Sequence, residues 1–398
     1  MAGNTKRFDQ TNDVTTIKTL LREAIPLTGS VLSGTYAEPD GTGTNSNIKQ
    51  YTHAMFQSAF DYPYASSSAN HLYDSTFGYG ASSVFDGRTG EVSGSKKNNI
   101  YNEMAQYLVG FSQTGSIERF DKDGDLTGGE KIDEVIVLNL ARLLSKDGIQ
   151  KGTFELELGV SGAATGWASP MAQRIKVKDL NGTSSYKVNS PKGEYGILYA
   201  NNSQGSPLDG GAAGGNAYFA STTSTDGPCG LLYYQAGVAV LSASMFMPTS
   251  SGGLLSASST IIAHPVPGAA NTRMLWYSAS TTAYDIHDAL TTSSVDSLSD
   301  GLRHRLYNLS FNNTTILNST MYTCRIASRD FNYSSNPTYL TGSKIRVKAD
   351  DPQNNPKSFI TTIGMYSAQD QLLAVAKLSK PIEKSPKEDL LIKVRLDY

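Results

Sequence analysis

The residues whose types and spacing come closest to a known chemistry are Asp123, Asp125 and Thr127, followed by Glu134 at the twelfth position counted from Asp123. Oxygen donors at positions one, three and five, glycine at position six (Gly128) and an acid at position twelve form the pattern of a calcium loop. A hard cation gathers several oxygens, and the chain must turn sharply to supply them. The match is incomplete. Thr127 stands where Asp or Asn is usual, Glu130 takes the eighth position where an apolar residue belongs, and the segment after Glu134 reads as strand rather than exit helix. Asp-Gly-Asp is also how an ordinary surface turn is written, so a bound cation and a solvated turn are both open.

No other grouping carries a reaction. The histidines His53, His71, His264, His287 and His304 are scattered, with no pair at helical ligand spacing. Asp285-Ile-His287-Asp288 can orient an imidazole, yet no Gly-x-Ser-x-Gly elbow supplies a nucleophile, and Cys229 follows Pro228 in an apolar strand. Phosphate loops and dinucleotide fingerprints are missing. Glu155 and Glu157 share one strand face, where two glycosidase carboxylates can sit, although a solvated face explains them more simply. No catalytic residue and no cofactor is therefore expected. Tyr62, Tyr64, Tyr73, Phe77 and Tyr79 can stack on sugars, pack under a loop or, the preferred reading, carry contact energy at an interface.

Bulk properties narrow the class further. Lys and Arg total 34 against 36 Asp and Glu, a net charge of −2, so no basic field exists to hold nucleic acid. The two cysteines, Cys229 and Cys324, form neither a metal spacing nor a disulfide framework. The N-terminus has no secretory pattern and no apolar run reaches the length of a membrane span, so synthesis in a cytoplasm and release by lysis are expected.

The elements that must position these residues follow from periodicity. Helices are expected over residues 14–24, 47–60 and 98–108, the last using Ile100, Met104 and Tyr107. From Ile132 onward the pattern turns to strands, with a hairpin expected between 134–144 and 152–158. The fold class is mainly β with an α-containing N-terminal region, built of antiparallel sandwich-like sheets with long loops. The expected divisions are a mixed α and irregular region over 1–130, a β domain over 131–247, a Ser/Thr/Gly-rich insertion over 248–300 and a C-terminal β domain over 301–398.

The last forty residues read as three strands, 359–366, 372–378 and 390–396. In the third, Ile392, Val394 and Leu396 alternate with Lys393 and Arg395, so one face is buried and the other wet. Within this block TTIGMYSAQDQLLAVAKL resembles a recurrent signature of tailed-bacteriophage tail and baseplate adaptor proteins. The segments FNYSSNPTYL, KNNIYNEMAQYLVG and KIDEVIVLNLARLLSKDGIQKGTFELELG are similar to structural proteins of large contractile-tailed marine phages.

That resemblance implies a non-enzymatic virion component of the tail, baseplate or neck, made in the host cytoplasm and located in the virion. Its implied partners are other virion proteins and further copies of itself, as a homo-oligomer or a ring, with no nucleic acid and no membrane. Leu390, Ile392, Val394, Leu396 and Tyr398 are the candidate interface residues, because a terminal strand offers an unpaired edge to another chain. The competing readings are a peripheral receptor- or glycan-binding tail protein and a virion-associated glycan hydrolase.

Overall fold

Residues 134–140 are apolar at nearly every position, as a strand covered on both faces must be. In the computed structural model Val135 and Val137 enter one buried cluster, while Ile136, Leu138 and Leu140 enter another. The structure describes residues 7–28, 47–83, 86–87, 90–129, 131–159, 174–202, 227–246, 291, 293–334, 336–342, 344–345 and 357–398. These are 50% strand and 12% helix, so the protein is mainly β with large antiparallel sheets, as its sequence leads one to expect.

In chain order the strands begin with β1 (Val14–Thr28), β2 (Ile48–Gln50), β3 (Gln57–Phe60), β4 (His71–Tyr79), β5 (Phe120–Asp121), β6 (Lys131–Ile132) and β7 (Glu134–Leu140). Next come β8 (Gly148–Ile149), β9 (Glu155–Gly159), β10 (Arg174–Lys178), β11 (Lys187–Ser190), β12 (Gly193–Asn202), β13 (Gly227–Tyr233) and β14 (Val238–Ser242). The series ends with β15 (Leu306–Ile326), β16 (Leu340–Thr341), β17 (Lys344–Ile345), β18 (Ser358–Tyr366), β19 (Leu372–Lys384) and β20 (Leu390–Asp397). The α-helices among the described elements are α1 (Gly94–Leu108), α2 (Arg142–Ser145) and α3 (Val295–Arg305).

By its internal contacts the chain divides into two units, Met1–Leu21 with Ile316–Tyr398, and Arg22–Thr315. The strands β1 and β15 run from one unit into the other. The larger unit is a sheet in the order β15-β9-β10-β12-β13-β14-β7-β4-β3-β2. Alternate residues of its central strands feed the two clusters. Tyr101, Ala105 and Leu108 of α1 join the cluster of Val135 and Val137, and Val295, Leu298 and Leu302 of α3 join that of Ile136. The backbone of α1 lies so close to β4 that a Cβ on Gly78 would stand 2.7 Å from Lys97 O, which leaves room there for glycine alone.

Several expected elements change character. Residues 14–24 form β1 rather than a helix, since Val14, Thr15, Thr16 and Ile17 are β-branched and the backbone lies beside β15. Residues 47–60 form β2, a turn with Ala54 at φ 50°, and β3, a conformation no helix passes through. The helix expected over 98–108 is present as α1, but Tyr107 is 48% exposed, and Tyr101, Ala105 and Leu108 make the buried stripe with Ile100. No hairpin joins 134–144 to 152–158. Strand β7 pairs with β4 and β14, β9 pairs with β10 and β15, and residues 142–145 are the short helix α2. Most of the stretch 248–300, with His264 and His287, lies outside the described residues.

The smaller unit contains the first part of β1, the second part of β15 and the strands β16 to β20. All three expected terminal strands are present, but β20 does not extend the β18–β19 pair. It pairs antiparallel with β15, from Ile326 opposite Leu390 to Ser319 opposite Asp397. Among the described residues, strands β18 and β19 pair only with each other.

Candidate functional site

The acidic loop is closed by a two-residue ladder in which Phe120 faces Ile132 and Asp121 faces Lys131. Inside it, carboxylate oxygens of Asp121, Asp123 and Asp125 lie within 4.8 Å of one another. Backbone N–H groups fold the turn around them. Leu126 N–H donates to Asp121 Oδ2 at 2.8 Å, Asp125 N–H to Asp123 Oδ1 at 3.2 Å and Thr127 N–H to Asp125 Oδ1 at 2.7 Å. Leu126 is held at φ 64°, which lets the chain reverse at a non-glycine residue. Tyr195 Oη and Asn189 Nδ2 both donate to Gly124 O and fix the loop to β12 and β11.

The loop therefore gathers Asp123 and Asp125 with Asp121, not with Glu134. Glu134 starts β7, opposite Tyr79, and accepts from Ser83 Oγ at 2.7 Å, and burial pushes its carboxyl up. The backbone N–H of Thr127 braces the turn. The sequence signal for Asp121 was available, since Asp121, Asp123 and Asp125 alternate, but counting from Asp123 passes over it.

Charge in this loop is partly compensated from within. Asp121 is 1% exposed, and Lys131 Nζ stands 3.1 Å from its Oδ1, an ion pair without hydrogen-bond alignment. Burial first, then a hydrogen bond shared with Asp123, raises the Asp121 carboxyl above its ordinary range. Asp125, exposed and bonded by Thr127 N–H, is lowered. Chemically the arrangement is a set of oxygen donors with an ammonium tethered beside its one buried member.

Glu155 and Glu157, singled out from sequence, are held by cations, and Asp285 and Asp288 lie outside the described residues. Glu155 binds Lys176 Nζ at 2.6 Å and Lys178 Nζ at 2.9 Å, and Glu157 binds Arg174 Nε at 2.8 Å. Asp74 Oδ1 accepts from Ser58 Oγ at 2.5 Å and meets His71 Nε2 at 2.8 Å. Serine and imidazole thus share a carboxylate instead of bonding each other, as a nucleophile and its base do. Of the five aromatics, Tyr73, Phe77 and Tyr79 are core residues, Tyr62 is exposed, and Tyr64 packs near Phe60.

A different surface appears on the smaller unit. Among its described residues the buried apolar side chains are Ile326, Tyr339 and Ile392. Ile17, Leu20, Phe359, Leu373, Val375 and Leu391 all stand at least 44% exposed. In β20 the alternation holds, with Ile392 buried, Leu390, Val394 and Leu396 half-buried, and Lys393 and Arg395 exposed. Leu391 is 54% exposed, and Tyr398, just past the strand's end, 73%. Strand β15 takes one edge of β20, and among the described residues no strand takes the other. Reasoning from alternation missed Leu391 and the exposed residues of β19, because successive apolar residues such as Leu372 and Leu373 must point to opposite faces.

The chain matches no protein-family model, no curated protein and no solved structure.

Proposed function

We propose that this chain is a non-enzymatic structural component of a bacteriophage virion, part of the tail, baseplate or neck, made in the host cytoplasm and built into the particle with other virion proteins. The observation that carries this reading is the apolar surface of the smaller unit's described residues. Its strands expose apolar side chains while burying few, and among the described residues the outer edges of β19 and β20 have no strand partner. Ordering a residue costs about 1–2 kcal/mol of backbone entropy, and half-exposed side chains return only part of the ~1.5–3 kcal/mol that full burial provides. Such a surface belongs against another chain. The resemblance of its terminal block to phage tail and baseplate adaptors supports the same assignment.

Purified particles of the source phage provide the test. Mass spectrometry is expected to find the chain in gradient-banded virions, and an antibody to residues 358–384 is expected to label disrupted tails more strongly than intact ones. A chain confined to the soluble lysate, absent from banded particles, overturns the assignment.

A further inference from the structure

Counted from Asp121 instead of Asp123, the acids of the loop take positions one, three and five, and position six falls on Leu126, at φ 64°. That register puts the sharp turn of a calcium loop on the residue that makes it. A turn and three acids are not yet a site. Two further observations point to a ligand.

The first is a stranded oxygen. Asp121 is 1% exposed, and its Oδ2 takes the Leu126 N–H, but its Oδ1 has no hydrogen-bond partner. Lys131 Nζ stands 3.1 Å away and has none either, so this ammonium brings positive charge to the oxygen without bonding it. A buried polar atom left in that condition is costly. The second observation is convergence. A Cβ built on Gly129 would stand 3.6 Å from Asp121 Oδ1 and 3.7 and 3.9 Å from the two oxygens of Asp123, and those are its three nearest neighbours beyond the adjacent residues. The space beside Gly129 is therefore walled by carboxylate oxygens, a place that repels anions and draws a cation.

We infer that this loop binds calcium, with Asp121, Asp123 and Asp125 each giving a carboxylate oxygen and water completing the shell on the exposed side of Asp123 and Asp125. Oxygens that all lie within 4.8 Å of one another leave a point no more than about 2.8 Å from each, close to the ~2.3–2.6 Å of a calcium–oxygen bond. The donor set is oxygen alone, which selects a hard cation. Calcium accepts irregular geometry and many waters, whereas magnesium demands a near-ideal octahedron and dehydrates reluctantly. Three carboxylates against the one ammonium of Lys131 leave negative charge in surplus for the ion. Lys131 acts as a built-in competitor, whose charge must move aside as calcium enters. The ion would brace the β5–β6 ladder and, through Gly124 O, the contacts to Tyr195 and Asn189.

This site goes beyond the virion reading, and neither stands or falls with the other. Calorimetric titration of the EDTA-treated full chain is expected to find one calcium per chain, with a dissociation constant of about 10⁻⁴–10⁻³ M because the protein ligands are few. Calcium at ten times that constant is expected to raise the melting temperature by roughly 3 °C. Asp123→Asn and Asp125→Asn each weaken binding about tenfold or more, and since both residues are exposed, both variants melt in EDTA as the wild type does. Lys131→Met tightens binding about tenfold by removing a like charge from beside the ion. Magnesium binds at least roughly tenfold more weakly than calcium. No uptake at millimolar calcium, uptake that Asp123→Asn and Asp125→Asn leave unchanged, equal affinity for magnesium, or no gain from Lys131→Met overturns the site.

Discussion

Lys97 brings an ammonium into the interior of the larger unit. It is 0% exposed, donates to Thr291 O at 3.1 Å and lies 5.4 Å from the centre of the Tyr79 ring. Burial pulls its pKa down to about 8, with Glu91 opposing. The unfolded chain holds this proton up to an ordinary lysine value, so between pH 8 and about 10 the unfolded state binds more protons than the folded one. Stability from this group therefore rises with pH across that window, by up to roughly 3 kcal/mol, and below it the folded state carries the full cost of the buried charge. The melting temperature measured from pH 7 to 10 is expected to show this rise superimposed on the background of other groups. Lys97→Met is expected to remove it, and a variant whose pH profile parallels the wild type rules the effect out.

The β18–β19 ribbon is tied down at its base. Lys384, 1% exposed, gives all three of its protons to oxygens, Ser328 O at 2.9 Å, Asn332 Oδ1 at 3.1 Å and Ser385 O at 2.8 Å, and Ser358 Oγ donates to Phe331 O. Lys384→Met leaves three acceptors without their donor at a cost of about 3 kcal/mol. The expected outcome is a ribbon cut by protease under conditions where the wild type resists; equal cleavage rates contradict the anchoring role. Little of this was legible beforehand. The terminal strands were, because turn residues at 367–371 separate β-branched and apolar runs, but nothing in Leu390–Asp397 says that its partner is β15 rather than the neighbouring ribbon. Val14, Ile17, Leu20 and Leu21 fit a helical face, yet Ile17, Leu20 and Leu21 are half exposed beside a strand some three hundred residues away, so pairing decided what periodicity could not. By contrast Ile100 and the uninterrupted run in β7 were readable, since each buries what its own pattern offers. The acidic loop was legible in its turn and in two of its three acids. Its twelfth position was not, because the ladder of β5 and β6 closes the loop before Glu134 enters β7.

Over the whole molecule the distribution of buried apolar area predicts where the backbone opens. Strands β7, β13 and β14 lie between two buried clusters, and their amides exchange with solvent only when the larger unit unfolds. Residues 359–383 have no fully buried side chain, so their hydrogen bonds open locally at a small fraction of that free energy. Hydrogen exchange on dilute purified protein is expected to separate the two by orders of magnitude, with the ribbon exchanging first. Under the proposed virion role, exchange repeated on gradient-banded particles is expected to protect the ribbon while leaving β7 unchanged, since a neighbouring chain would add burial that the ribbon lacks alone. Protection of residues 359–383 equal to that of β7 in the dilute protein would mean that the ribbon is stable by itself, and the surface would then have no energetic need of another chain.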